Sequence, residues 1–167
     1  MRNLVSIAAT LVVAVLPAAA QDIDALERQL DKARDEAPMV IKSFMAVSRP
    51  AKHFGDYEQR PNTEYRRGEQ LLFYGEPKNL LMPRKATGVI EPAFEVDLEV
   101  KPEKGDVLKQ PNFMSMRLPA KSRIQDIYLN ISLSLGQAPP GKYNIKFVVR
   151  DLNSKKSASV AQDVVIK

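Results

Sequence analysis

The chain has 167 residues, with 25 Lys and Arg against 20 Asp and Glu, one histidine, and neither cysteine nor tryptophan. That composition excludes a disulfide framework, a thiol nucleophile and a cysteine- or histidine-rich zinc centre. Stability has to come from burial alone, in a chain long enough for one domain with a sizeable core.

Residues 1–20, MRNLVSIAATLVVAVLPAAA, carry the pattern of a cleavable export signal. Arg2 supplies a positive start, Leu4 to Leu16 form an apolar run, Pro17 breaks it, and Ala18-Ala19-Ala20 precede a cut at Gln21. The run is too short and wrongly flanked for a stable membrane span, and no cysteine follows it to take a lipid anchor. The expectation is a mature chain of about 147 residues, periplasmic or secreted, with the lack of cysteine fitting a bacterial periplasm. Charge is unevenly spread along it. Residues 21–37 hold six acids and three bases, 38–85 five acids and nine bases, and 140–167 two acids and six bases. Such a surface is either a solvated face or a match for anionic envelope components such as lipid headgroups, lipopolysaccharide or acidic glycans. Nucleic acid is excluded by the compartment and by the absence of any recognition motif.

Within the segment 21–37, the residues Ile23, Leu26, Leu30, Ala33 and Ala37 fall on one stripe, which predicts an amphipathic helix over 22–37 capped by Asp22. It is expected to dock on the domain or to serve as an arm for a partner. Pro38 ends it, and residues 38–167 read as one β domain. MVIKSFMAV (39–47) is apolar and suited to a strand, with imperfect alternation; 49–62 reads as a loop; 69–76 as a strand closed by Pro77. In 93–100, Phe94, Val96, Leu98 and Val100 alternate with Glu95, Asp97 and Glu99, a half-buried strand with an acidic outer face. Shorter strands are expected at Val107-Leu108 and 113–118. Period-two strands follow at 124–135, with Ile127, Leu129, Ile131, Leu133 and Leu135 inward, and at 143–149, before a last strand over 157–166. Seven to nine short strands without intervening helices predict an antiparallel immunoglobulin-like sandwich, with Tyr143 placed as the corner tyrosine.

The segment PPGKYNIKFVVRDLNSKKSASV, and the set Tyr57-Glu58-x-Arg60, Tyr65, Gly68-Glu69, Tyr74 and Glu76-Pro77, resemble a group of uncharacterised bacterial exported proteins with immunoglobulin-like sandwiches. The likeness covers most of 55–76 and 124–166. It implies the fold and the exported location, and no chemistry.

Enzyme signatures are missing. His53 is the one base available to a serine hydrolase, and no G-x-S-x-G elbow accompanies it. No phosphate-cradling loop, dinucleotide fingerprint or other cofactor motif occurs. Glu95, Asp97 and Glu99 have a spacing open to a glycosidase pair, but they are more simply a solvated strand face balanced by Lys146 and Arg150. The stretch GDYEQRPNTEYRRGEQLLFYGEP (55–77) remains. One reading sets Tyr57, Arg60, Tyr65, Tyr74 and Glu76 around a surface groove, because tyrosine and arginine anchor interfaces. The other has Arg60 holding Glu58 or Glu76 and the tyrosines packed on the sandwich. The functional expectation is a non-catalytic binding or interaction module for an envelope protein or an anionic envelope component. A small-ligand or glycan-binding module is the alternative, and a hydrolase the third reading.

Overall fold

The computed structural model describes residues 22–136 and 138–167; the expected export signal lies outside them. Among these residues the protein is mainly β, with one helix and eight strands. The helix α1 (Ile23–Glu36) starts where the sequence places it. The Asp22 carboxylate accepts the Ala25 amide at 3.2 Å, Asp24 sits in the first turn, and Arg34 stands near the negative end of the dipole. Ala37 is extended ahead of Pro38, as a residue before proline prefers.

Strands β1 (Val40–Ala46), β3 (Gln70–Lys78) and β6 (Leu129–Ser134) form an antiparallel sheet in the order β1-β3-β6. A second sheet has the order β2-β8-β7-β4-β5 and contains β2 (Glu64–Tyr65), β4 (Ala93–Pro102), β5 (Leu108–Arg117), β7 (Gly141–Asp151) and β8 (Ser157–Ile166). All its pairs are antiparallel except β2 with β8, where Glu64 faces Val165 and Tyr65 faces Ile166. The inward rows of the two sheets make one core. Phe73 of the first sheet meets Phe147 of the second edge to face, with ring centres 5.3 Å apart. Phe44 stacks on Phe73 at 5.8 Å and also reaches Phe147.

The imperfect alternation of 39–47 has a physical cause. Ser43, at φ 51°, forms a bulge between the pairs Lys42–Glu76 and Met45–Tyr74, so Ile41 and Phe44 both turn toward the core. Gly75 accommodates them: a Cβ there would lie 3.3 Å from Ile41 Cγ2 and 3.3 Å from Phe44 Cδ2.

Some elements differ from the sequence reading. The two short strands expected at 107–108 and 113–118 are one strand, β5, interrupted by a bulge at Pro111-Asn112 where the register against Val96 and Leu98 shifts. Asn112 takes φ 53°, which asparagine tolerates better than most residues, and Asp97 receives its amide at 2.8 Å. The strand expected over 124–135 is regular only over Leu129–Ser134, although Ile127 is buried before it. β2 lies just past the end of the expected loop; two residues are too short for a periodic signal.

The helix is held to the domain by polar contacts and leaves its apolar stripe uncovered. Arg123 reaches Asp31 at 3.2 Å and Asp35 at 2.7 Å, and the Lys156 ammonium donates to the carbonyls of Arg34, Asp35 and Asn79. A cation on the last carbonyls satisfies acceptors that have no partner within the helix. Ile23, Leu26 and Leu30 are 62%, 42% and 49% exposed, and no helix residue is buried. No helix among the described residues is long and apolar enough to cross a membrane.

The turn from β7 to β8 is also tied to the domain. The Asp151 carboxylate, 4% exposed, accepts the Leu81 amide at 2.8 Å, the Asn153 amide at 2.9 Å and the Ser154 hydroxyl at 2.6 Å. The Asn153 side chain then donates to the carbonyls of Leu81 and Glu91. In this way the R-D-x-N-S turn fastens the β7–β8 hairpin to the long connection between β3 and β4.

Candidate functional site

The five residues singled out between 55 and 77 fall into two clusters. The first centres on Tyr74. In β3, Leu72, Tyr74, Glu76 and Lys78 point away from the sandwich core, and the loop after β1 folds back over them, burying Val47 and Ala51 against Tyr74. Asn130 of β6 fixes this loop with both ends of its amide, accepting the Ala51 N–H at 2.9 Å and donating to the Ala51 carbonyl at 2.7 Å. Arg49 grips both oxygens of Asp56, at 3.0 and 2.7 Å, and Asp56 also accepts the Lys52 amide. The Arg49 hydrogen bond, with that amide, holds the Asp56 carboxyl well below the usual carboxylate range.

At the centre, the Tyr74 hydroxyl accepts the Gly55 amide at 2.9 Å and donates to Glu76 Oε1 at 3.0 Å. Tyr57 and Tyr128 flank its ring, with centroids 4.7 and 5.9 Å away. Lys78 stands 3.6 Å from Glu76 and 4.2 Å above the Phe54 ring. Burial, and then the bond to Glu76, push the Tyr74 phenol up to about 12, against the Gly55 amide, which pulls it down. The folded state therefore holds this proton more tightly than the unfolded chain. Its contribution is fully present below about pH 10 and is lost as pH climbs toward 12. The urea midpoint of the wild type should fall over that window, and Tyr74→Phe should flatten the fall. Tyr65, whose phenol is also raised by burial, accounts for a residual slope. An unchanged slope in the variant would remove Tyr74 from this account.

The second cluster is Arg60 with Tyr65. The Arg60 guanidinium lies 4.2 Å over the Tyr65 ring, pairs with Glu69 at 2.8 Å, and donates to the Glu64 carbonyl at 2.8 Å. One of the two sequence readings had Arg60 holding Glu58 or Glu76, and the structure corrects that pairing: Glu58 faces Arg49 at 3.6 Å and Glu76 faces Tyr74 and Lys78. Glu69 reaches Arg60 because the turn at Arg66–Glu69 folds back on itself, with the Glu69 side chain accepting the Arg66 amide at 2.8 Å. Tyr65, Tyr74 and Glu76 are buried, whereas Tyr57 is 38% exposed. The Tyr74 hydroxyl is thus engaged by the Gly55 amide and Glu76, and Glu76 by Tyr74 and Lys78, a geometry that fixes a loop.

The acidic row on β4 is matched across the sheet as its register requires. Arg150 reaches Asp97 at 2.8 Å and Glu95 at 2.9 Å, and Lys146 reaches Glu99 at 3.5 Å. The Arg150 hydrogen bond holds the Asp97 carboxyl below its ordinary value. His53 is an exposed loop residue with Nδ1 3.2 Å from the Phe54 carbonyl. Among the described residues no group of three or more His, Cys, Asp or Glu side chains could hold a metal ion. Sequence reasoning missed a pocket ringed by Arg34, Lys42, Lys78 and Arg123; its only trace in the sequence is the excess of bases over 38–85.

No protein-family model matches the chain, and no curated protein matches it. Among solved structures it is similar to a putative superoxide reductase from Thermotoga maritima, at 8% identity and a TM-score of 0.43, over 80% of this chain and 89% of that one. It is also similar to a superoxide reductase (neelaredoxin) from Ignicoccus hospitalis, at 8% identity and a TM-score of 0.40, over 88% and 99% of the two chains. The sporulation control protein Spo0M of Bacillus subtilis aligns at 8% identity and a TM-score of 0.38, over 78% of this chain and 50% of that one. Likenesses of this size assign this chain neither a fold family nor an activity.

Proposed function

We propose that the protein is a non-catalytic, exported interaction module: an immunoglobulin-like sandwich that offers its N-terminal helix to an envelope protein. The sandwich reading is supported by strand order. With β1, β3 and β6 as strands A, B and E, and β8, β7, β4 and β5 as G, F, C and C′, both sheets follow the immunoglobulin order. The Tyr143 hydroxyl donates to the Pro139 carbonyl four residues upstream at 2.6 Å, the bond a corner tyrosine makes. Export is supported by the sequence of residues 1–20 and by the resemblance of 55–76 and 124–166 to exported proteins.

The observation that carries the function is the uncovered stripe Ile23, Leu26 and Leu30 on a helix anchored at its other end. Asp22 and Glu27 border that stripe, so its counterpart is an apolar groove with a basic rim. A photo-crosslinker at position 26 should trap one envelope protein, and the double change Leu26→Glu, Leu30→Glu should abolish the adduct. Because both side chains are exposed, the melting temperature should stay within about 2 °C of wild type, as surface changes within about 0.5 kcal/mol imply. An adduct unaffected by the double change, or one made only of a second copy of this chain, would refute the reading.

A further inference from the structure

A pocket of about 310 Å³ lies between the C-terminal end of α1, the paired ends of β1 and β3, and the segment leading into β6. Its volume is at the lower end of the range used for small ligands, about 300–1,000 Å³. Arg34, Lys42, Lys78 and Arg123 ring it, and no acid is among the residues that line it. The floor is partly apolar. Leu80 and Ile127 are buried, with Met82 and Ile124 beside them, all continuous with the sandwich core.

The surrounding carboxylates do not balance these cations. Asp31 lies 3.6 Å from Arg34 and 3.2 Å from Arg123, Asp35 lies 2.7 Å from Arg123, and Glu76 lies 3.6 Å from Lys78. Lys42 has no carboxylate within ion-pair distance among the described residues. Lys156, just outside the pocket, is held by three carbonyl groups alone. Four cations therefore line the half-enclosed hollow against three neighbouring carboxylates, with Lys156 covering the carbonyls at the negative end of α1, and low-dielectric walls strengthen attraction for an anion. An inorganic anion would leave the apolar floor in water.

We propose that this pocket binds a small amphipathic anion, with a carboxylate or phosphate head among Lys42, Lys78 and Arg34 and a short apolar tail on Met82 and Ile124. The site is separate from the stripe on the helix, and its test does not depend on any partner protein. In titration calorimetry of the mature chain, octanoate or octyl phosphate below its micelle concentration should bind saturably with one site per chain. Whichever head binds more tightly names the class. Lys42→Glu, at an exposed position on an edge strand, should weaken binding at least tenfold; it also sets a second acid opposite Glu76 and so lowers stability, whereas Lys42→Gln should weaken binding with an unchanged melting temperature. Lys109→Glu, on the opposite sheet, should leave binding as in wild type. Absence of saturable binding by both anions would overturn the proposal. So would equal affinity for octyltrimethylammonium, an affinity for inorganic phosphate matching that of octyl phosphate, or a Lys42→Glu variant that binds like wild type.

Discussion

Asp151→Ala is expected to destabilise the fold by about 3–4 kcal/mol. The carboxylate receives two backbone amides and one hydroxyl. Alanine offers no replacement for any of them, and a buried donor left without a partner costs about 1–3 kcal/mol. The Leu81 and Asn153 amides carry most of the loss, because the Ser154 hydroxyl can rotate toward other acceptors. For a domain of this size the melting temperature should fall by about 10 °C. Ser154→Ala removes one of the three bonds and should cost only about 1 kcal/mol. Urea unfolding of both variants checks the order. Asp151→Ala costing no more than Ser154→Ala would show that the two amides find other acceptors, and the clamp between the β7–β8 turn and the β3–β4 connection would lose its basis.

Phe147→Ala should cost about 4 kcal/mol, within the range for deleting a buried phenylalanine ring. Phe147 is fully buried where the sheets meet, with Phe73 and Phe44 of the first sheet on one side and Phe113 of β5 at 6.4 Å. Part of the loss belongs to the ring pairs. A double-mutant cycle of Phe147→Leu with Phe73→Leu should give a coupling of about 0.5–1.5 kcal/mol, the value of an edge-to-face pair beyond its area. Since the two rings sit on different sheets, this cycle measures how strongly the layers are joined at their centre. A coupling indistinguishable from zero would place that joint elsewhere in the core.

Strands with strict alternation were legible from the residues alone. β4, β6 and β7 each bury one row, and the pairing of Glu95 with Arg150 and of Glu99 with Lys146 follows once β4 and β7 are neighbours. Features set by distant chain segments were not. β2 is two residues long and defined by a parallel partner a hundred positions away. Pro111 breaks the alternation of β5, so one bulged strand reads as two fragments. The stripe on α1 suggests docking through apolar contact, whereas the attachment comes from Arg123 and Lys156, which no local pattern links to the helix. In the candidate site, composition marked the stretch 55–77 as unusual. It could not show that Tyr74 would be enclosed by the loop after β1, nor that Arg60 would take Glu69 across a turn.

The bulge in β5 bears on how the protein behaves at high concentration. β5 is the last strand of its sheet, so its outer rim would offer a row of amides and carbonyls on which another chain could polymerise. Midway along that rim Pro111 has no amide hydrogen, and the next amide, that of Asn112, is spent on Asp97. An incoming strand would miss a donor at Pro111 and meet a backbone kinked by the bulge, whose Asn112 amide is turned inward to Asp97 of β4, so it could not stay in register across the middle of β5. The same two residues that disguise β5 in the sequence thus act as a gatekeeper against fibre growth along this sheet.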